Sequence, residues 1–199
     1  IDGGCGETGA ALTSSLFCSA ERQYRFPLEY GGVRPPTAQW TVTGAGALIL
    51  AAAGDGPRVT MATTGTIVDA GITDTNNMGA AMAPAAYETL RAHFADTGRT
   101  PDDYDLIVTG DLGKIGHAVV TRLFADDGVE LAGKYNDCGL MIYDLEAQDV
   151  HAGGSGCGCS ASVLAGHLIK LLTGGQIRRL LFAATGALMS PTASMQGQS

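Results

Sequence analysis

The sequence predicts an α/β fold, a mixed sheet flanked by helices, and three observations carry that expectation. Short continuous apolar runs recur at 47–53, 105–109 and 180–185, the mark of strands buried on both faces. Segments with apolar residues at helical spacing alternate with the later runs. Glycine reaches 29 of 199 residues, about twice its ordinary share, which suits tight turns and closely packed layers. With 45% hydrophobic and 16% charged residues, the chain has the material for one domain with a sizeable core.

Taken in order, 47–53 reads as a buried strand after a glycine-rich turn. A second strand segment is expected over 58–68, interrupted at Gly65. Residues 84–94 read as a helix, with Ala86, Leu90 and Phe94 four apart and Pro84 in its first turn. Residues 98–103 form a loop, and 105–109 (DLIVT) a short buried strand. The chain then turns through Gly110, Asp111, Leu112 and Gly113 into a helix over about 115–124. A further strand is expected at 140–143. Residues 162–172 place Val163, Leu164, His167, Leu168, Leu171 and Leu172 on one helical face, ended by Gly174 and Gly175. Residues 180–185 (LLFAAT) close the series as a buried strand.

The net charge of −8 argues against nucleic acid as the main partner, because phosphates call for clustered Lys and Arg, and the longest basic cluster is Arg178-Arg179. No apolar run reaches about 18 residues, so a membrane role is expected to be peripheral or through partners. No signal-peptide pattern opens the sequence. Five cysteines at irregular spacing (Cys5, Cys18, Cys138, Cys157, Cys159) do not form a disulfide framework, and a reducing compartment fits them. Cys157 and Cys159 lack a second Cys or His pair at ligand spacing, so no metal is expected there.

The segment 153–161, GGSGCGCSA, lies between a strand-like and a helix-like run. Its small side chains let a ligand approach bare backbone, and amides at a helix start suit an anion. GDLGKIG at 110–116 matches neither nucleotide-loop spacing and reads as a tight strand-to-helix turn. Among the four histidines only His151 stands close to the glycine segment. Hydroxyls around Gly186 fit a carboxylate or an ordinary turn equally well, whereas the side-chain amides of Asn76 and Asn77, in a loop before a helix, fit ordinary turn chemistry better. Residues 17–30 mix charge with aromatic rings, as an interface, a pocket wall or an exposed loop would.

Six stretches together resemble a known family: FCSAERQYRFPLEYGGVRPPTAQWTVTGAGA (17–47), DTNNMGAAMAPAA (74–86), DYDLIVTGDLGKIG (103–116), NDCGLMIYD (136–144), GGSGCGCSA (153–161) and ATGALMSPT (184–192). In order, and over nearly the whole chain, they resemble the stage V sporulation protein AD (SpoVAD) family of the thiolase-like superfamily. The resemblance implies a thiolase-like layered fold in which residues 1–199 are a second-half fragment, lacking most of the amino-terminal half and the extreme carboxyl end. It also implies a soluble subunit of the SpoVA machinery that binds dipicolinic acid, with calcium accompanying the ligand, for uptake into the developing endospore. Location would be cytoplasmic or peripheral on the spore inner membrane, with the SpoVA membrane proteins as partners and a homodimer possible.

In thiolases the second-half loops carry Asn-Glu-Ala-Phe and Gly-His-Pro. The corresponding words here are 109–113 and 154–156, and Ser155 stands where the histidine would be. A serine there is not a base near neutral pH without a partner. No catalytic residue, resident cofactor or metal is therefore expected, and the alternative is a thiolase- or ketoacyl-synthase-type acyltransferase. The implied ligand contacts are Asn77, Asp111, Gly154, Ser155, Gly156 and Ser190, including backbone amides over 154–158. Arg22, Arg25 and Arg34 are candidate cations for a carboxylate. Arg22 and Arg25 are also the expected contacts to membrane partners.

Overall fold

A computed structural model of the chain describes residues 6–19, 33–131, 133–187, 189 and 196. The elements run β1 (Thr8–Ser15), β2 (Trp40–Thr41), β3 (Gly44–Ala51), α1 (Met78–Thr97), β4 (Leu106–Thr109), α2 (Gly113–Asp126), β5 (Tyr135–Asp137), α3 (Cys138–Met141), β6 (Gly154–Ser155), α4 (Cys157–Val163), α5 (Ile169–Thr173) and β7 (Leu180–Ala183). A π turn, Leu164–Leu168, joins α4 to α5 without a break. This is a mixed α/β arrangement of small sheets flanked by helices, as the composition and alternation predict.

The central sheet is parallel, in the order β5-β4-β7. Its register sets Thr109 beside Asp137 on one side and beside Ala183 on the other, so three strand ends share one edge. Ile107 and Val108 are both fully buried, and they belong to different clusters. Ile107 packs with Met82, Ala86, Leu90, Val120 and Phe124 of α1 and α2. Val108 packs with Val42, Cys138, Cys159, Val163 and Leu168. Adjacent strand residues point to opposite faces, so each face of the sheet has its own apolar cover.

Two further sheets border this core. β1 and β3 are antiparallel in full register from Thr8↔Ala51 to Ser15↔Gly44. β2 runs parallel to β6, pairing Trp40 with Gly154 and Thr41 with Ser155.

α1 begins at Met78, earlier than 84–94 suggests, because the Asn77 side chain caps it by accepting the Ala80 amide at 3.3 Å. Pro84 therefore lies one turn deeper than a first-turn proline. Gly98, at φ 64°, ends the helix in the left-handed conformation. α1 and α2 touch through glycine: a Cβ on Gly79 would lie 2.2 Å from the Leu112 carbonyl oxygen, and one on Gly116 2.7 Å from the Gly79 oxygen.

Several expectations are corrected. Residues 58–68 form no strand; their β-branched side chains lie along the surface without a ladder partner among the described residues. Thr63 is tied to His93 at 2.8 Å instead. Residues 140–143 do not form a strand either: Cys138–Met141 is a short helix, capped by the Asp137 side chain, and the strand is β5 just upstream. The first apolar strand is shifted to Gly44–Ala51 and only alternately half-buried. The helix expected over 162–172 already starts at Cys157, and His167 is exposed because the π turn rotates it off the buried face.

Candidate functional site

Parallel α/β sheets place their sites beyond the carboxyl ends of the strands, where chains diverge into helices. Here that edge is formed by Thr109, Asp137 and Ala183. After β4 the chain turns through Gly110, Asp111 and Leu112 into α2. Asp111 is buried, and its carboxylate gathers donors from two other segments. Oδ2 accepts the Gly156 amide at 2.7 Å and the Ser155 hydroxyl at 3.2 Å. Oδ1 accepts the Thr185 hydroxyl, just past β7, at 3.4 Å.

The glycine loop is fixed from its other side as well. The Gln39 side-chain NH2 donates to the carbonyls of Asp111 and Gly154, both at 2.8 Å. The Gly158 amide donates to the Ser15 hydroxyl at 3.0 Å, and that hydroxyl donates to the Val42 carbonyl at 2.6 Å. Gly156, at φ 97°, holds a backbone conformation that side-chain-bearing residues avoid, and this lets its amide face Asp111.

Of the expected ligand contacts, Asp111, Gly154, Ser155 and Gly156 are brought together, and Thr185 joins them. Asn77 is occupied as the cap of α1. Ser190, Arg22 and Arg25 lie outside the described residues. Arg34 is turned to Asp149, donating to its carbonyl at 2.9 Å, and its guanidinium lies over the Trp40 ring at 4.4 Å. His151, a residue at positive φ, has Nδ1 2.8 Å from the Pro35 carbonyl and Nε2 3.0 Å from the Asp149 carboxylate. The amides of Gly156 and Gly158 are engaged by Asp111 and Ser15, so a ligand carboxylate reaching for them competes with protein groups.

The group that sequence reasoning missed is Asp137. It is fully buried and takes four donors: the Thr109 hydroxyl at 2.7 Å and the Leu112 amide at 2.9 Å on Oδ2, then the Gly113 amide at 2.8 Å and the Gly139 amide at 2.9 Å on Oδ1. Burial pushes its carboxyl above the ordinary carboxylate range, while the Thr109 hydroxyl and the three amides pull it back. The available signal was an Asp between a short polar strand and a Cys-Gly step, a helix-cap pattern that assignment of 140–143 to a strand concealed. Nearby, burial pushes the thiols of Cys138 and Cys159 far above the usual range, away from thiolate chemistry. Among the described residues no cluster of three or more His, Cys, Asp or Glu side chains is arranged to hold a metal, and no helix is long and apolar enough to cross a membrane.

The structure defines an α/β protein whose candidate site lies at the carboxyl edge of a parallel sheet, bridged by a buried carboxylate to a glycine loop. Comparison with known proteins gives the family. The sequence model of stage V sporulation protein AD (SpoVAD) matches residues 1–199. Stage V sporulation protein AD of Bacillus subtilis (strain 168) is 49% identical over 196 residues, which cover 98% of this chain and 58% of that protein. The chain belongs to the SpoVAD family, and it spans 58% of the length of this curated relative.

Proposed function

We propose that the chain binds dipicolinic acid, as a soluble component of the SpoVA machinery that moves this diacid, with calcium, into the developing endospore. The observation that carries the reading is the character of the glycine loop. It sits where a sheet of this kind receives ligands, its polar groups are hydroxyls and amides, and Ser155 donates to a buried carboxylate where a thiolase would hold a histidine. Small side chains and backbone amides of this kind suit hydrogen bonding to a small polar ligand that displaces the Asp111 and Ser15 contacts, and the loop carries no imidazole base for Claisen chemistry.

The surroundings favour binding over acyl transfer. The His151 ring is taken up by Pro35 and Asp149, His93 by Thr63 and Tyr104, and His117 stacks on Tyr135 at 4.5 Å. Cys138 and Cys159 are buried with raised thiol pKa. A nucleophile–base pair needs hydrogen-bond reach and an accessible thiolate, and these groups are directed elsewhere. On this reading Arg22 and Arg25 are the contacts to the membrane partners, and attachment to the spore inner membrane is peripheral.

Calorimetric titration of dipicolinate into the chain, with and without calcium, tests the proposal. Saturable heat in at least one condition is expected, together with no steady release of free CoA from acyl-CoA. An absence of saturable heat in both conditions would sink the binding reading, and sustained CoA release would favour an acyltransferase.

A further inference from the structure

Asp137 is the buried carboxyl group that the ligand-binding reading leaves unused. Two of its four donors, the Leu112 and Gly113 amides, belong to the turn that carries Asp111. The third amide, Gly139, lies in the first turn of α3, and the hydroxyl belongs to Thr109 at the end of β4. Asp111 in turn accepts the Gly156 amide and the Ser155 hydroxyl. A continuous chain of carboxylate contacts therefore runs from the sheet edge to the glycine loop: Asp137 grips the backbone of the turn, the turn presents Asp111, and Asp111 grips the loop.

A neutral amide cannot substitute in this chain. An asparagine at 137 would point its NH2 either at the Leu112 amide or at the amides of Gly113 and Gly139. Each orientation leaves at least one buried N–H facing another donor.

We propose that Asp137 is the positioning residue of this site: by holding the 110–113 turn it sets where Asp111 meets Gly156 and Ser155, and so sets the form of the loop that receives the ligand. Its bearing on ligand affinity rests on the dipicolinate reading above; its bearing on the loop stands on the hydrogen bonds alone.

Two readouts on the 199-residue chain separate these. By amide hydrogen exchange, the Gly156 amide in Asp137→Asn exchanges about tenfold or more faster than in the parent, while Leu90 in α1 keeps its rate, because local and global opening are distinct. By calorimetry, dipicolinate affinity falls about tenfold in Asp137→Asn, and by less than about threefold when the change is added to Asp111→Asn, since residues acting through one path are not additive. If Asp137→Asn does not fold, Thr109→Val removes a single donor at similar shape and gives the same pattern with smaller amplitude. Unchanged Gly156 protection, or an equal loss at Leu90, overturns the positioning role. Faster Gly156 exchange in a chain that shows no dipicolinate heat supports the positioning role and overturns the ligand-binding reading instead.

Discussion

At the scale of single residues, His93 sets a pH response that can be worked out by sign. Its ring lies between the Thr63 hydroxyl at 2.8 Å and the Tyr104 hydroxyl at 2.7 Å. Burial first, then the charge of Arg99, lowers its pKa, and Asp96 opposes them. Near the ordinary histidine value of about 6.5 the unfolded chain therefore holds more protons on this residue than the folded chain, and stability rises with pH through that range. The urea midpoint is expected to fall as pH drops from about 7 to about 5, and His93→Gln should flatten that part of the profile. A midpoint that drops equally in the variant would remove His93 as the cause. Asp137 acts with the opposite sign at lower pH: its raised pKa means the folded state holds the extra proton, so its own contribution increases as pH falls toward the unfolded carboxylate value. Neither group was legible as such in the sequence. His93 lies inside the helix expected over 84–94 and Asp137 inside the 136–144 stretch, and nothing in either segment marks them, because burial and donor count are properties of the fold.

At the scale of elements, the crossing of α1 over α2 depends on Gly79 and Gly116. A methyl group at Gly79 would meet the Leu112 carbonyl, which is backbone and has no rotamer to adopt. Gly79→Ala should therefore destabilise by about 1–3 kcal/mol through overpacking, read as a lower urea midpoint at an unchanged slope. Since Leu112 also donates to Asp137, the same change should disturb the site turn. The sequence showed α1 and α2 through apolar residues at helical spacing, and β4 and β7 through short continuous apolar runs. It did not show β1, whose TGAALTSS has little β-branched content and is specified by its pairing with β3. β2 and β6 are two residues long, too short for any period, yet they bring Trp40 and Thr41 beside the glycine loop. The loop itself was legible from composition, whereas the identity of its anchor, Asp111, depended on a contact 45 residues away in sequence.

For the whole molecule, the outer face of the β1–β3 sheet matters most. Leu12 is 73% and Ile49 72% exposed, and the register sets Leu12 opposite Ala47 and Ile49 opposite Ala10, so all four share one face. A contiguous apolar patch of this kind promotes association. Replacing both large residues, Leu12→Lys and Ile49→Lys, should reduce concentration-dependent self-association in sedimentation experiments. The thermal midpoint should change little, because exposed substitutions away from a core shift stability by about 0.5 kcal/mol or less. Persistent association at unchanged strength would assign it to another surface.

The π turn between α4 and α5 also has a bearing beyond its local geometry. Val163 and Leu168 are both buried although five positions separate them, a spacing that an uninterrupted α-helix would carry to different sides. The rod from Cys157 to Thr173 thus behaves as two half-rods on one axis with a slipped joint. Before the joint, Cys159 and Val163 reach the apolar cluster around Val108, and the joint itself returns Leu168 to that same cluster. The extra residue in the turn thus keeps both half-rods facing one core, which a regular helical pitch over the same length would not do.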